Sequence, residues 1–105
     1  MNFFQRLFGS ADKQIKDWVK NDAILLDVRS IGEFSENGIE GSLNIPIEML
    51  YQRLNELNKK NQKYVVFCRS GNRSRHALDL LKKQGFTFVT DGKTVNNIHK
   101  ILKND

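Results

Sequence analysis

Three short, mostly apolar runs constrain this chain more than any other feature. They are "AILLDV" at 23–28, "YVVF" at 64–67 and "FTFV" at 86–89. "AILLDV" is continuous until a charge closes it, the pattern of a strand buried on both faces. Between the runs lie longer segments with apolar residues at helical spacing. Strands that alternate with helices imply an α/β fold with a mainly parallel sheet, covered by helices on both faces. In such sheets ligands bind beyond the carboxyl ends of the strands.

The helical segments carry their own punctuation. Ser10 reads as the N-cap of a helix over 11–20, with Ile15, Trp18 and Val19 on one face. "SIGEFSENG" reads as a short helical turn capped by Ser30 and stopped at Gly38. "SLNIP" is a short strand ended by Pro46. That proline also opens a helix over 46–60, striped by Ile47, Leu50, Leu54 and Leu57. Further helices are expected over 73–84, stopped by Gly85, and over 92–103. Phe3, Phe4, Leu7 and Phe8 repeat at helical spacing and are assigned to capping the domain's own core.

With 105 residues the chain has room for one modest core and too little for two. No stretch is long enough to span a bilayer. The start, "MNFFQRLFGS", has no continuous apolar region and no small-residue cleavage site, so the chain reads as cytoplasmic. A single cysteine fits, because no internal disulfide is possible. The net charge of +5 favours anionic partners. Yet the lysines of "NKKNQK" and "LLKKQG" read as solvated faces and helix C-terminal charges. No zinc-finger spacing or RNA-binding aromatic run is present, so no nucleic-acid partner is expected. His76 and His99 have no metal-ligand company, so neither a metal nor another cofactor is expected.

The one thiol, Cys68, follows the run "YVVF" and precedes "RSGNRS". A thiol is a good nucleophile only as thiolate, and cations or a helix N-terminus stabilise that form. Arg69 and Arg73 bracket the loop, and a helix starts near Arg73. Gly71 permits a positive φ, so successive amides can converge on an anion. Ser70, Asn72 and Ser74 supply short polar groups suited to turns and caps. A lone cysteine at a strand end is often a small hydrophobe. The strand, cysteine, arginines, glycine and helix together point to an electropositive cup around one sulfur.

"CRSGNRS" resembles the active loop of rhodanese-like domains, a sulfurtransferase family. "LLDVRSIGEF" and "GIEGSLNIP" resemble that family's first and second signatures, in the same order. The resemblance implies a three-layer α/β/α domain over 21–105, with four to five strands, preceded by a helical segment over 1–20. It also implies that Cys68 takes a sulfane sulfur from thiosulfate or a related small anionic donor, holds it as a persulfide, and passes it to cyanide or a thiol. A thioredoxin-like protein is among the acceptors it suggests. Arg69, Ser70, Gly71, Asn72, Arg73 and Ser74 would bind the substrate. Asp27 and Arg29 match the family's Asp-Val-Arg and are expected to support the site, with Arg29 spaced to pair with Glu33. Two departures stand out. Asn37 and Gly38 occupy the family's Gly-His, and Lys93 replaces the second glycine of the C-terminal motif, here "GKTVNNI".

Two other readings compete. A rhodanese-like module could carry sulfur to a partner protein, or bind one, without turnover. A cysteine-loop phosphatase or arsenate reductase needs Cys-x5-Arg, whereas this loop is Cys-x4-Arg with Ser74 at the next position.

Overall fold

Four strands, β1 (Ile24–Asp27), β2 (Leu43–Asn44), β3 (Tyr64–Cys68) and β4 (Val89–Thr94), form one sheet in the order β2-β1-β3-β4. Every pairing is parallel; Leu26 lies opposite both Val66 and Leu43. The computed structural model describes residues 9–58 and 61–103. The aromatic run Phe3–Phe8 and the lysines that close the expected 46–60 helix lie outside the described residues.

Five helices complete the fold among the described residues: α1 (Ser10–Lys20), α2 (Ile31–Asn37), α3 (Ile47–Leu50), α4 (Asn72–Lys83) and α5 (Val95–Lys103). The pleat of β3 divides the core. Val65 and Phe67 pack with Ile15 of α1 and with Ile98 and Ile101 of α5. Tyr64, Val66 and Cys68 pack on the other face, with Leu50, Ala77 and Leu81 from α3 and α4. The result is the expected three-layer α/β/α arrangement, with four strands. All five β3 side chains are buried, which explains why its sequence does not alternate. Truncating a fully buried member such as Leu26 to alanine costs about 2–5 kcal/mol.

Several boundaries differ from the sequence-based expectation. Gly9, not Ser10, is the N-cap of α1, and no side chain caps it. Ser30 does cap α2, in a reciprocal capping box with Glu33. The helix expected over 46–60 is one α-helical turn followed by a 3-10 segment, Tyr51–Glu56. Arg53 leaves helical geometry there (φ −111, ψ 17) and pairs with Glu56. Leu54 and Leu57 still reach the core, because side chains three apart align on a 3-10 turn. The fourth strand also lies later than expected. "FTFV" only leads into it: Phe86 is buried, Phe88 is 40% exposed, and β4 is Val89–Thr94. Pairing with β3 fixes this strand despite its polar sequence, and the last helix starts at Val95, not at 92.

Candidate active site

Cys68 ends β3 and turns its side chain toward α4. The chain reverses at once. Gly71 takes φ +96, a left-handed conformation that side chains disfavour, and serves as the N-cap of α4. This brings two backbone N–H groups onto the sulfur. Gly71 donates to Cys68 Sγ at 3.0 Å and Ser74 at 3.3 Å. The sulfur also lies 3.7 Å from the Lys93 carbonyl oxygen, to which the thiol donates. The N–H groups of Asn72 and Arg73, first in α4, find no acceptor among the described residues. They remain available to an anion at the loop. The Cys68 residue itself is fully buried.

The two loop arginines part company. Arg69 is exposed and has no ion-pair partner among the described residues; it lines a cleft of about 390 Å³ with Arg29, Asn37 and Asn96, and with Glu33 and Glu36 on its wall. Arg73 instead forms a bidentate pair with Glu33 of α2, at 2.7 and 2.9 Å. Hydrogen bonding to Arg73, opposed by desolvation, holds the Glu33 carboxyl down at about 2 from an ordinary 4.5. The same bonds raise Arg73 above its usual value. The sequence sets Arg73 with Arg69 as the two cations bracketing the loop; in the fold the Arg73 charge is largely matched by Glu33.

Arg29 is not the partner of Glu33 that their spacing suggested. Its guanidinium folds back on Asp27, with Nε 3.0 Å from both carboxylate oxygens and Nη2 at 2.8 Å from Oδ2. Nη1 donates to Asn37 at 2.6 Å. Both ends of the pair are buried, Asp27 at 0% and Arg29 at 2% exposure. Asn44 donates to the carbonyls of Asp27 and Arg29, tying β2 to this corner. Asn37, where the family pattern has glycine, thus braces Arg29 at the cleft.

Two features were missed in the sequence. Asp91 of β4 accepts the Lys93 N–H at 2.7 Å, and its Oδ1 lies 2.9 Å from Ser74 Oγ. An aspartate two residues before a turn position is the available signal, since such side chains bond the backbone two residues on. Lys93 sits at φ +71, the left-handed region, at the place where the family has glycine. The preceding Gly92 is the extra residue of an irregularity between Val66 and Phe67. A Cβ there would meet Ile98 at 2.7 Å and Val65 at 2.8 Å, so close packing excludes a side chain. Ser70 and Asn72 are exposed at the loop, and a second cleft of about 280 Å³ lies beside Ser70, Gly71 and Lys93. His76 and His99 are exposed and remote from one another in sequence, and no acidic, histidine or cysteine cluster among the described residues could hold a metal. No helix among them is long and apolar enough to cross a membrane.

Comparison with known proteins agrees with this geometry. Residues 11–93 match the model of the rhodanese-like domain. YrkF of Bacillus subtilis, named as a candidate sulfur carrier protein, is 44% identical over 65 residues, covering 62% of this chain and 35% of its own length. A sulfurtransferase of Allochromatium vinosum is 34% identical over 65 residues, covering 62% of this chain and 60% of its own. The chain therefore spans about a third and about three fifths of these two relatives. Among solved structures, a rhodanese-related protein of Thermoplasma volcanium superposes with a TM-score of 0.71 at 29% identity, covering 85% of this chain and 88% of that one. The chain belongs to the rhodanese-like domain family.

Proposed function

We propose that this protein is a sulfurtransferase that moves a sulfane sulfur through a persulfide on Cys68. One observation carries the reading: the Cys68 sulfur accepts backbone N–H bonds from Gly71 and Ser74, and the two amides between them find no acceptor among the described residues. Donors aimed at a sulfur favour the states in which it is anionic. With thiosulfate as donor, the Cys68 thiolate attacks the outer sulfur. A new S–S bond forms, the donor's S–S bond breaks, and the electron pair leaves with sulfite. The amides of Asn72 and Arg73, without an acceptor among the described residues, are suited to the terminal sulfur of the resulting Cys68-S-S⁻. Arg69, exposed beside the loop and without an ion-pair partner among the described residues, attracts the anionic donor.

Release reverses the logic. An acceptor thiolate or cyanide attacks the outer sulfur, the Cys68 S–S bond breaks, and the Cys68 thiolate departs. The chain has no second cysteine, so the acceptor comes from another molecule. A small thiol, cyanide or a thioredoxin-like protein would serve. Phosphatase chemistry lacks its guanidinium: the sixth position after the cysteine is Ser74, buried and bonded to Asp91.

A carrier role, with sulfur loaded by a protein donor, is the second reading. Full burial of Cys68 favours it, because a partner that opens the loop would control access. Intact-mass measurement decides between them. Thiosulfate should add one sulfur atom to the wild type, cyanide should remove it as thiocyanate, and Cys68→Ser should take none. Loading only from a protein persulfide would support the carrier. Loading from neither, or loading of Cys68→Ser, would overturn sulfur transfer at this site.

A further inference from the structure

The reactive sulfur lies between two walls. One is the first turn of α4, which donates through the Ser74 N–H. The other is the irregular end of β4, whose Lys93 carbonyl is 3.7 Å from Sγ. One carboxylate oxygen holds both at short range: Asp91 Oδ1, which accepts the Lys93 N–H at 2.7 Å and lies 2.9 Å from Ser74 Oγ. We propose that Asp91 is a positioning residue for sulfur transfer: by gripping Ser74 and Lys93 together, it keeps the Ser74 amide aimed at the Cys68 sulfur. The inference rests on the persulfide reading of the site.

The Ser74 hydroxyl has one proton and three acceptors in reach: Asp91 Oδ1 at 2.9 Å, the Gly71 carbonyl at 3.0 Å and the Lys93 carbonyl at 3.4 Å. The carboxylate is the nearest and the strongest of these. Without it the nearest remaining acceptor is the Gly71 carbonyl, within its own turn, and the hydroxyl's tie from α4 to β4 is left to the longer contact with the Lys93 carbonyl. Lys93 loses the acceptor that supports its left-handed backbone at the same moment. Both losses slacken the geometry around one atom, and a misplacement near 1 Å is costly to a reaction. The role is geometric. Negative charge beside an anionic sulfur is unfavourable in itself, and an asparagine oxygen could accept the same two bonds.

The test is single-turnover sulfur loading from thiosulfate and, separately, from glutathione persulfide, read by intact mass. Asp91→Ala should load about 10- to 100-fold more slowly at saturating donor. The donor concentration giving half-maximal rate should move less than about threefold, since binding is not the interaction removed. Asp91→Asn should recover most of the rate. Ser74→Ala should also be slow, and the Ser74→Ala/Asp91→Ala pair no slower than the worse single variant, because both cut one link. Asp91→Ala at the wild-type rate, Asp91→Asn as slow as alanine, or additive losses would each overturn the proposal. Should Asp91→Ala not fold, Ser74→Ala alone decides it: a wild-type rate refutes the link. A wild type that loads from neither donor overturns the persulfide reading and this inference with it. Loading by the wild type with unaffected variants overturns only the inference.

Discussion

The ion pair between Glu33 and Arg73 offers a quantitative check on how the site is held. Glu33→Gln is the informative perturbation. Glutamine keeps an oxygen for the capping bond to the Ser30 N–H, so the helix cap survives, while the charge and one of the two acceptors for Arg73 are removed. The folded-state pKa of about 2, against an ordinary 4.5, would correspond to about 3 kcal/mol if taken whole. Both side chains remain partly exposed, 31% for Arg73 and 26% for Glu33, and solvent screening reduces the figure to about 1–1.5 kcal/mol. The direction follows from the depressed value. The stabilisation is complete above the unfolded-state pKa, near 4.5, and fades as pH falls through the folded value, near 2. Urea unfolding of wild type and Glu33→Gln at pH 7 and at several points below pH 5 reads this directly. The wild type should be the more stable by about 1–1.5 kcal/mol at pH 7. That gap should close toward pH 2, because the protonated wild type then resembles the variant. A gap that is absent at neutral pH, or that persists unchanged at the lowest pH, would refute the argument.

Other perturbations test separate parts of the site. Gly71→Ala meets open space, so its cost is conformational, about 1–2 kcal/mol in thermal or urea unfolding, and it should slow sulfur loading by displacing an N–H donor. Gly92→Ala should destabilise by about 1–3 kcal/mol through overpacking against Ile98 and Val65, with an unfolding midpoint as readout. Asp27→Asn should cost about 3–5 kcal/mol in the same assay, because it leaves the buried Arg29 charge without its counter-ion.

Local chemistry in the sequence disclosed the parallel sheet and the loop around Cys68. Apolar runs, a glycine and a cysteine act on their immediate neighbours, and such effects survive without coordinates. What escaped was decided by how the elements pack, in most cases between residues far apart in the chain. Arg29 and Glu33 have a spacing that invites pairing, yet each found a better-placed partner, Asp27 for one and Arg73, forty positions on, for the other. "FTFV" has the composition of a strand, but the parallel partner β3 recruited the polar stretch after it. Backbone pairing outweighs intrinsic preference when one neighbour is already fixed. The Asp91 bridge between β4 and α4 is of the same kind, invisible until the two elements are placed side by side.

A sheet whose strands all run the same way has two unlike ends. Here the chain leaves β1, β3 and β4 at Val28, Arg69 and Val95, and every group discussed in connection with sulfur gathers at that rim. The opposite rim, where residues 21–23, 62–63 and 84–88 lead into the strands, turns the polypeptide and, through Phe86, closes the core. Grafted epitopes, labels or lengthened connections placed at its exposed positions would burden folding while leaving reactivity alone, so the direction of the strands partitions this small molecule into a working end and a supporting one.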